Sequence, residues 1–311
     1  MTTIAVTGAS GFCGSHVAAT AAARGADVLC VGRRPGPAGR HVLWDAAGEV
    51  PDLSGADLVV HCAAAVGDPI PGSPAEAAMR AVNVDGTARL LEAAVGRPVV
   101  WVSSASVYAP GPGRSRITED HPVRGQLNAY GRTKAAGEAL ALAAGAVVLR
   151  PRAVYGHGDP HLVPRLLSRV RRGRLLLPGR SVLLSLTAVE NLTDASLAAA
   201  DWQPGAYNIA DPAPYERDEA IRTVLRAHGV RARIGHIPPT LARTAAGAAE
   251  AVARLRPHTE PPLTRYAVDQ LANSVVLDVS KAQAQGWTAR RTLGDYTPVM
   301  PADSGTSGVS L

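Results

Sequence analysis

The sequence predicts an α/β protein built on a doubly wound parallel sheet, with a smaller C-terminal domain. Three observations carry this reading. Short apolar runs alternate with helical segments through the first half of the 311 residues, the pattern of parallel strands joined by crossover helices. The first apolar run passes directly into a glycine-rich turn and then a helix. After Gly156 proline and glycine rise and the alternation stops, which marks a change of architecture. A hydrophobic content of 46% suffices for a large core.

Taken in order, Thr3 to Thr7 is the first strand, followed by Gly8-Ala9-Ser10-Gly11-Phe12-Cys13-Gly14 and a helix over Ser15 to Arg24 that Gly25 closes. In this context the glycines permit a tight turn, close backbone approach to a pyrophosphate and close helix–strand packing. The helix start then offers free N–H groups to phosphates. Gly8, Ser10, Gly11, Phe12, Cys13 and Gly14 are therefore candidate dinucleotide contacts. The second strand, Asp27 to Gly32, ends without the carboxylate that would hold a ribose 2′-hydroxyl and is followed by Arg33 and Arg34. Two guanidiniums there suit a 2′-phosphate, so NADP(H) is expected in preference to NAD(H).

A short strand at His41 to Trp44 leads to Asp45, placed to accept from an adenine amino group, and to Ala46. The strand Asp57 to Cys62 opens into Ala63 and Ala64, small enough for a cofactor to lie against the backbone. Pro74 to Val95 reads as one long helix containing Asn83, and Val99 to Ser103 as a strand containing Val102 and followed by Ser104. A helix from about Asn128 to Ala144, with Gly145 as C-cap, carries Tyr130 and Lys134 four residues apart, on one face. A cation beside a phenol lowers its pKa and readies it for proton exchange. Lys134 is one of two lysines against thirty arginines, so an ammonium at this place suggests a requirement for its chemistry. The strand Ala146 to Arg150 then runs into Pro151-Arg152-Ala153-Val154-Tyr155-Gly156.

The expected domains are residues 1–156 with about 185–210, and a substrate domain from about 157–184 and 211–298, with 299–311 as a disordered tail. No apolar run approaches the length of a membrane span. The chain enters a strand almost at once, and Cys13, Cys30 and Cys62 are odd in number and widely spaced. A cytoplasmic protein with free thiols is expected. The net charge of +6 raises nucleic acid as a partner. The arginines are dispersed, however, and a single Phe leaves little for base stacking, so no nucleic-acid partner is expected. His157, Asp159 and His161 invite a metal, but no further ligand accompanies them and none is expected.

Together these motifs resemble the extended short-chain dehydrogenase/reductase family, also called the NAD-dependent epimerase/dehydratase family. The resemblance runs from Thr7-Gly8 through Asp57 to Ala64, Asn83-Val84-Asp85-Gly86-Thr87, Val102 to Tyr108, Tyr130/Lys134 and Arg150-Pro151, and ends at Leu277 to Ala282 and Gly286-Trp287. It implies a Rossmann-type fold and an NAD(P)-dependent enzyme. Tyr130 is the implied acid/base, and Lys134 the implied modulator of the phenol and binder of the nicotinamide ribose. Ser104 is the implied catalytic serine, with Ser103 its rival. Val102, Asn83, Pro151, Ala153 and Val154 join the cofactor-binding positions by the same resemblance. Family members often pair two long helices, here Pro74 to Val95 and Asn128 to Ala144, so a homodimer is implied.

Two branches compete. Nucleotide-sugar members place an Asn just after the sixth strand, where Arg152 and Ala153 stand here. Pro261 to Tyr266 and Asp269 to Asp278 look instead like 3β-hydroxysteroid dehydrogenase-type members. The expected activity is an NADP(H)-dependent ketoreductase or alcohol dehydrogenase acting on a largely apolar or polycyclic biosynthetic intermediate. A nucleotide-sugar epimerase, dehydratase or ketosugar reductase is the alternative, and a non-catalytic NADP(H) sensor a third reading.

Overall fold

A computed structural model describes residues 2–255, 261 and 263–296; the expected tail at 299–311 lies outside them. The centre is a seven-stranded sheet, all of whose pairs are parallel. Its strands are β1 (Thr3–Thr7), β2 (Asp27–Gly32), β3 (Arg40–Leu43), β4 (Leu58–His61), β5 (Val99–Val102), β6 (Val147–Pro151) and a last strand, Gly205–Ile209. Across the sheet the order is Gly205–Ile209, β6, β5, β4, β1, β2, β3. Strand order therefore reverses between β1 and β4, and the crevice beyond their C-terminal ends is where such sheets bind ligands.

Both faces of the sheet are covered, which explains why its strands read as continuous apolar runs rather than alternating ones. Alternate residues feed two separate cores. Ile4, Val6, Val28, Val60, Val100 and Leu149 pack on one face with Val17, Ala18 and Ala21 of α1 (Phe12–Ala23) and with Leu192 and Ala195 of α6 (Val189–Ala198). Ala5, Leu29, Val59, Trp101 and Val148 face the other way, toward Leu90 of α3 (Gly86–Ala93) and Ala141 of α4 (Ala129–Ala143). Burying a Val or Leu side chain completely is worth ~1.5–3 kcal/mol, so this double core dominates the stabilisation of the sheet.

The predicted helix over Pro74 to Val95 is interrupted. It is α2 (Pro74–Arg80), a π-helical turn Ala81–Asp85 and α3. Asn83 sits in that wide turn, a device that often re-aims one residue of a helix. Its side chain accepts from Ala65 N at 2.7 Å and donates to Ala65 O and Thr133 Oγ1, both at 3.0 Å. A Cβ at Gly137 of α4 would collide with the Asn83 carbonyl, so glycine there lets α4 lie directly against this turn.

The remaining chain adds α5 (Leu162–Arg169), α7 (Arg217–Ala227), α8 (Pro239–Leu255) and α9 (Arg265–Ala272). A parallel ladder of Arg174–Pro178 with Arg233–Ile237 lies beside α9. Among the described residues no helix is long and apolar enough to cross a membrane.

Candidate active site

The glycine turn lies at the sheet's reversal point. Gly8 takes φ of 65°, in the left-handed region, and a Cβ on it would lie 2.8 Å from the Ala63 backbone. A Cβ on Gly14 would strike the Gly8 carbonyl, so α1 can pack this close only through glycine. Gly11 caps α1 without a side-chain hydrogen bond, and no acidic residue occupies the helix's first turn. This is a backbone cradle that side chains would fill, with a helix start suited to an anion; it fits a dinucleotide pyrophosphate. Ser10 borders the turn, and Phe12 and Cys13 begin α1. Arg33 and Arg34 are exposed directly after β2, and so is Asp45, whose carboxylate accepts from Ala47 N at 3.0 Å. Ala46 is buried, and its carbonyl accepts from Arg89 at 2.7 Å.

At the end of β4, Thr7 accepts from the Ala63 backbone at 3.2 Å and hydrogen-bonds His61 Nδ1 at 2.7 Å. Burial lowers the His61 pKa to about 3, so the ring is neutral. Asn83, expected to contact cofactor, spends its whole amide on Ala65 and Thr133. It shapes the Ala63 to Ala65 wall from behind. Pro151 ends β6, and Val154 packs on the sheet core beyond Ala153.

The two serines after β5 have separate fates. Ser103 Oγ donates to Glu138 Oε2 at 2.5 Å and is buried. Ser104 instead lies on the side of the Tyr130 phenol, whose pKa it acts to lower. Ser104 Oγ also accepts twice from Ser106, from its hydroxyl at 2.8 Å and its N–H at 3.2 Å. With its lone pairs so occupied, the Ser104 proton is left to point outward, and each bond in such a chain strengthens the next. Ser106 in turn acts to lower the pKa of Tyr266 of α9. The Ser104–Ser106 hydroxyl pair is thus associated with two tyrosines, Tyr130 and Tyr266.

Tyr130 and Lys134 occupy the first turns of α4, which Asn128 caps by accepting from Gly131 N at 2.9 Å. The expectation that Lys134 lowers the Tyr130 pKa is not met in the protein alone. Burial raises the phenol, Cys13 and Tyr266 add to the rise, and the Ser104 hydrogen bond opposes it. Lys134 Nζ is directed elsewhere, donating to Val102 O at 2.7 Å and standing 3.6 Å from the centre of the Trp101 ring. Burial lowers its own pKa to about 7 against the pull of Glu138. The physical reason is local: an ammonium that has lost water binds the nearest carbonyl and π face. Burial also raises Cys13 to about 12 and pushes Cys62 further up, so both are inert thiols in the cradle wall.

Sequence reasoning missed four side chains around this centre: Ser106, Tyr266, Arg152 and Asp68. Ser106 stood two residues from Ser104, a spacing that hinted at the contact; the others arrive from distant segments. Asp68, pushed up to about 6 by burial, acts on Tyr266 and borders a cleft of about 150 Å³ whose lining mixes Pro69, Ile70 and Leu127 with the charged Glu250, Arg254 and Arg265. Asp159, weighed as a metal ligand, accepts from the backbone N–H groups of His161, Leu162 and Val163 at 2.8–3.1 Å and so caps α5.

A Rossmann sheet with a glycine cradle at its reversal point, and a phenol, lysine and serine on α4 and after β5, defines a nicotinamide-dependent class. The NAD dependent epimerase/dehydratase family matches residues 4–210, and the chain belongs to it. Among curated relatives, a 4-hydroxy-2-methyl-3-oxo-4-farnesyl-3,4-dihydroquinoline-1-oxide ketoreductase of Stigmatella aurantiaca is 31% identical, covering 92% of each chain. A 2-alkyl-3-oxoalkanoate reductase of Shewanella oneidensis is 29% identical over 89% of this chain and 80% of its own. The human sterol-4-alpha-carboxylate 3-dehydrogenase, decarboxylating, is 31% identical over 63% of this chain and 57% of its own. The solved structure of MoeE5 in complex with UDP-glucose and NAD is 27% identical, covers 95% of each chain and superposes with a TM-score of 0.70. The protein is an NAD(P)-dependent oxidoreductase of the extended short-chain dehydrogenase/reductase type.

Proposed function

We propose that this protein is an NADP(H)-dependent ketoreductase acting on a carbonyl, or the matching secondary alcohol, of a largely apolar biosynthetic molecule. The observation that carries the reading is the placement of Ser104, held by Ser106 after β5, and of Tyr130 and Lys134 on α4, at the C-terminal edge of the sheet that also carries the glycine cradle. Gly8, Gly11, Gly14 and the start of α1 would hold the pyrophosphate, with Ala63 and Ala64 as the opposing wall. Arg33 and Arg34 would hold a 2′-phosphate, and Lys134 the nicotinamide ribose. The bound nicotinamide supplies or removes the hydride.

Tyr130 gives its proton to the forming alkoxide and takes it back in oxidation. Its raised pKa in the protein alone keeps that proton in place until the site is filled. Ser104 donates to the same oxygen, so charge develops against positioned donors. Two bacterial relatives that span most of this chain are named as a ketoreductase and an oxoalkanoate reductase, which supports the direction of the reaction.

A nucleotide-sugar enzyme is the second reading, favoured by the likeness to a UDP-glucose complex. Against it, Arg152 and Ala153 stand where the sugar-nucleotide Asn is expected. The deciding experiment measures NADPH and NADH oxidation with a panel of apolar ketones and ketosugars, with wild type and Tyr130→Phe. NADPH-dependent turnover of apolar ketones that Tyr130→Phe loses by about 10²-fold or more is expected. Turnover that survives in Tyr130→Phe refutes the acid/base role, equal use of NADH refutes the Arg33/Arg34 assignment, and a melting shift only with UDP- or dTDP-sugars moves the protein to the second reading.

A further inference from the structure

Arginines that are scattered along the sequence converge in space at one place. Residues 160–189 and 220–249 contain no Asp or Glu, and the parallel ladder of Arg174–Pro178 with Arg233–Ile237 joins these two segments. At the start of that ladder Arg172, Arg174, Arg231 and Arg233 line a cleft of about 420 Å³, together with Gly173 and Ala232. All four arginines are exposed. None of their side chains forms an ion pair or a hydrogen bond with any described residue. The carboxylate that does reach the ladder, Asp218, is committed to Arg217 at 2.9 Å and to His236 at 2.6 Å. Its neighbour Glu219 holds Arg222 and Arg226.

The arrangement works against folding in two separate ways. Arg171 N donates to Arg174 O and Arg174 N to Arg171 O, both at 2.9 Å, so Arg172 and Gly173 are the central residues of a tight turn. Their φ values of 49° and 69° belong to the turn type that ordinarily takes Asn-Gly or Gly-Gly. Gly173 suits that backbone. Arg172 does not, and it is one of only two non-glycine residues with positive φ among the described residues. Register then sets Arg174 directly opposite Arg233, and like charges facing one another across paired strands repel. Strain of this kind collects at functional sites, and an anion between the guanidiniums would turn the repulsion into attraction.

What the cleft has and lacks defines that anion. A guanidinium matches phosphate oxygens with two parallel N–H groups. One phosphate carries about 1.5–2 negative charges and leaves half of the four guanidiniums unmatched, whereas two or three linked phosphates match them. The volume falls among small-ligand sites, roughly 300–1,000 Å³. Residues 160–189 and 220–249 contain no Phe, Trp or Tyr, so a base would find no ring to stack on. Of the ladder's large apolar side chains only Leu176 is exposed, too little to insert into a lipid surface. The cleft is equipped to read phosphates, and neither bases nor acyl chains.

We propose that Arg172, Arg174, Arg231 and Arg233 form a second anion site, which binds a small soluble molecule carrying two or three linked phosphates. Arg172 and Arg174 approach it from the turn, and Arg231 and Arg233 from the neighbouring strand. The ligand supplies the counter-charge that both acid-free segments lack, and it thereby fastens the turn to the strand beside it. No lining residue of this cleft belongs to the glycine cradle or to the group around Tyr130. The inference stands apart from the ketoreductase reading, and either can fail without the other.

The experiment titrates full-length protein with sodium triphosphate by calorimetry, in saturating NADPH so that the cofactor's own anion contacts are filled. One equivalent is expected to bind wild type, with sulfate at least about 10-fold weaker and with affinity falling as salt rises. Arg172→Asn combined with Arg233→Gln is expected to weaken triphosphate by about 10²-fold, about tenfold for each charge-assisted contact removed. Relieved of strain and repulsion, this variant is expected to melt at or above wild type without ligand, and to lose the rise in Tm that triphosphate gives wild type. Should it fail to fold, Arg174→Gln replaces it and is expected to weaken binding about tenfold. No binding to wild type, sulfate bound as tightly as triphosphate, or a variant that binds as wild type does overturns the proposal. Phosphatidylserine vesicles and a single-stranded oligonucleotide are the remaining probes. If either binds wild type more tightly than triphosphate and the variant loses it, the small-ligand site is overturned in favour of a membrane or nucleic-acid surface.

Discussion

Glu138 is the residue whose removal the structure makes most consequential outside the reacting groups. It is buried at 2% exposure on α4. One of its oxygens takes Ser103 Oγ at 2.5 Å, and the other takes Arg150 through Nε at 3.0 Å and Nη2 at 2.5 Å. Arg150 also reaches the Tyr108 hydroxyl at 2.9 Å and Glu119 O at 3.0 Å. This knot ties α4 to β5 and β6 and holds the helix that carries Tyr130. Glu138→Gln keeps the shape and removes the charge, leaving Arg150 buried without a counter-ion. Removing one partner of a buried pair costs ~3–5 kcal/mol. Because the guanidinium keeps two other acceptors, a loss of ~3 kcal/mol is expected, or about 5 °C in Tm for a chain this size. Chemical denaturation with matched melting curves measures it. The exposed Arg24–Asp194 pair provides the control, and Asp194→Asn should cost under ~1 kcal/mol. Glu138 also holds the Lys134 pKa up against burial. The variant should therefore bind NADPH less tightly at neutral pH and regain affinity as the pH is lowered. A stability loss under ~1 kcal/mol, within the range of a surface pair, would refute the reasoning about a stranded charge.

Two further outcomes follow from the same geometry. Ser106→Ala deletes the hydroxyl that occupies Ser104 Oγ at 2.8 Å; a roughly 10-fold fall in kcat with little change in KM is expected, the worth of one hydrogen bond, and an unchanged kcat in steady-state assays would remove Ser106 from the mechanism. The folded-state pKa of Lys134 is about 7, below the ~10.4 of an unfolded chain. Between those values the unfolded chain binds more protons, so this site's contribution to stability rises with pH from about 7 to 10 and its penalty is full below 7. Unfolding free energies of wild type and Lys134→Met across that range should show wild type gaining on the variant as pH rises; a constant gap would place the lysine's charge elsewhere.

Much of the fold was legible in the chain because its signals are local. Parallel strands covered on both faces must be apolar throughout, as in Val147 to Leu149, and the turn before α1 needs glycine where φ is positive or where backbones touch, as at Gly8 and Gly14. Those constraints act within a few residues, so they appear as runs and spacings. The order of the motifs then determined the family. The interruption of the Pro74 to Val95 helix was not legible, because it answers to Ala65 and Thr133, segments 18 and 50 residues from Asn83. The direction of Lys134 was not legible either. Spacing places it one turn from Tyr130, but which acceptor it meets depends on β5.

The sequence by itself therefore determined the sheet, the glycine cradle and the presence of Ser104, Tyr130 and Lys134. Only the tertiary structure decided that Ser103 belongs to Glu138, which leaves Ser104 with Ser106 as its partner. It alone also leaves Arg152 as the one buried arginine, among the described residues, without a carboxylate. The physical reason is that a pairing preference is a property of residue types, whereas a deficit of charge exists only once distant segments have been packed and their partners counted.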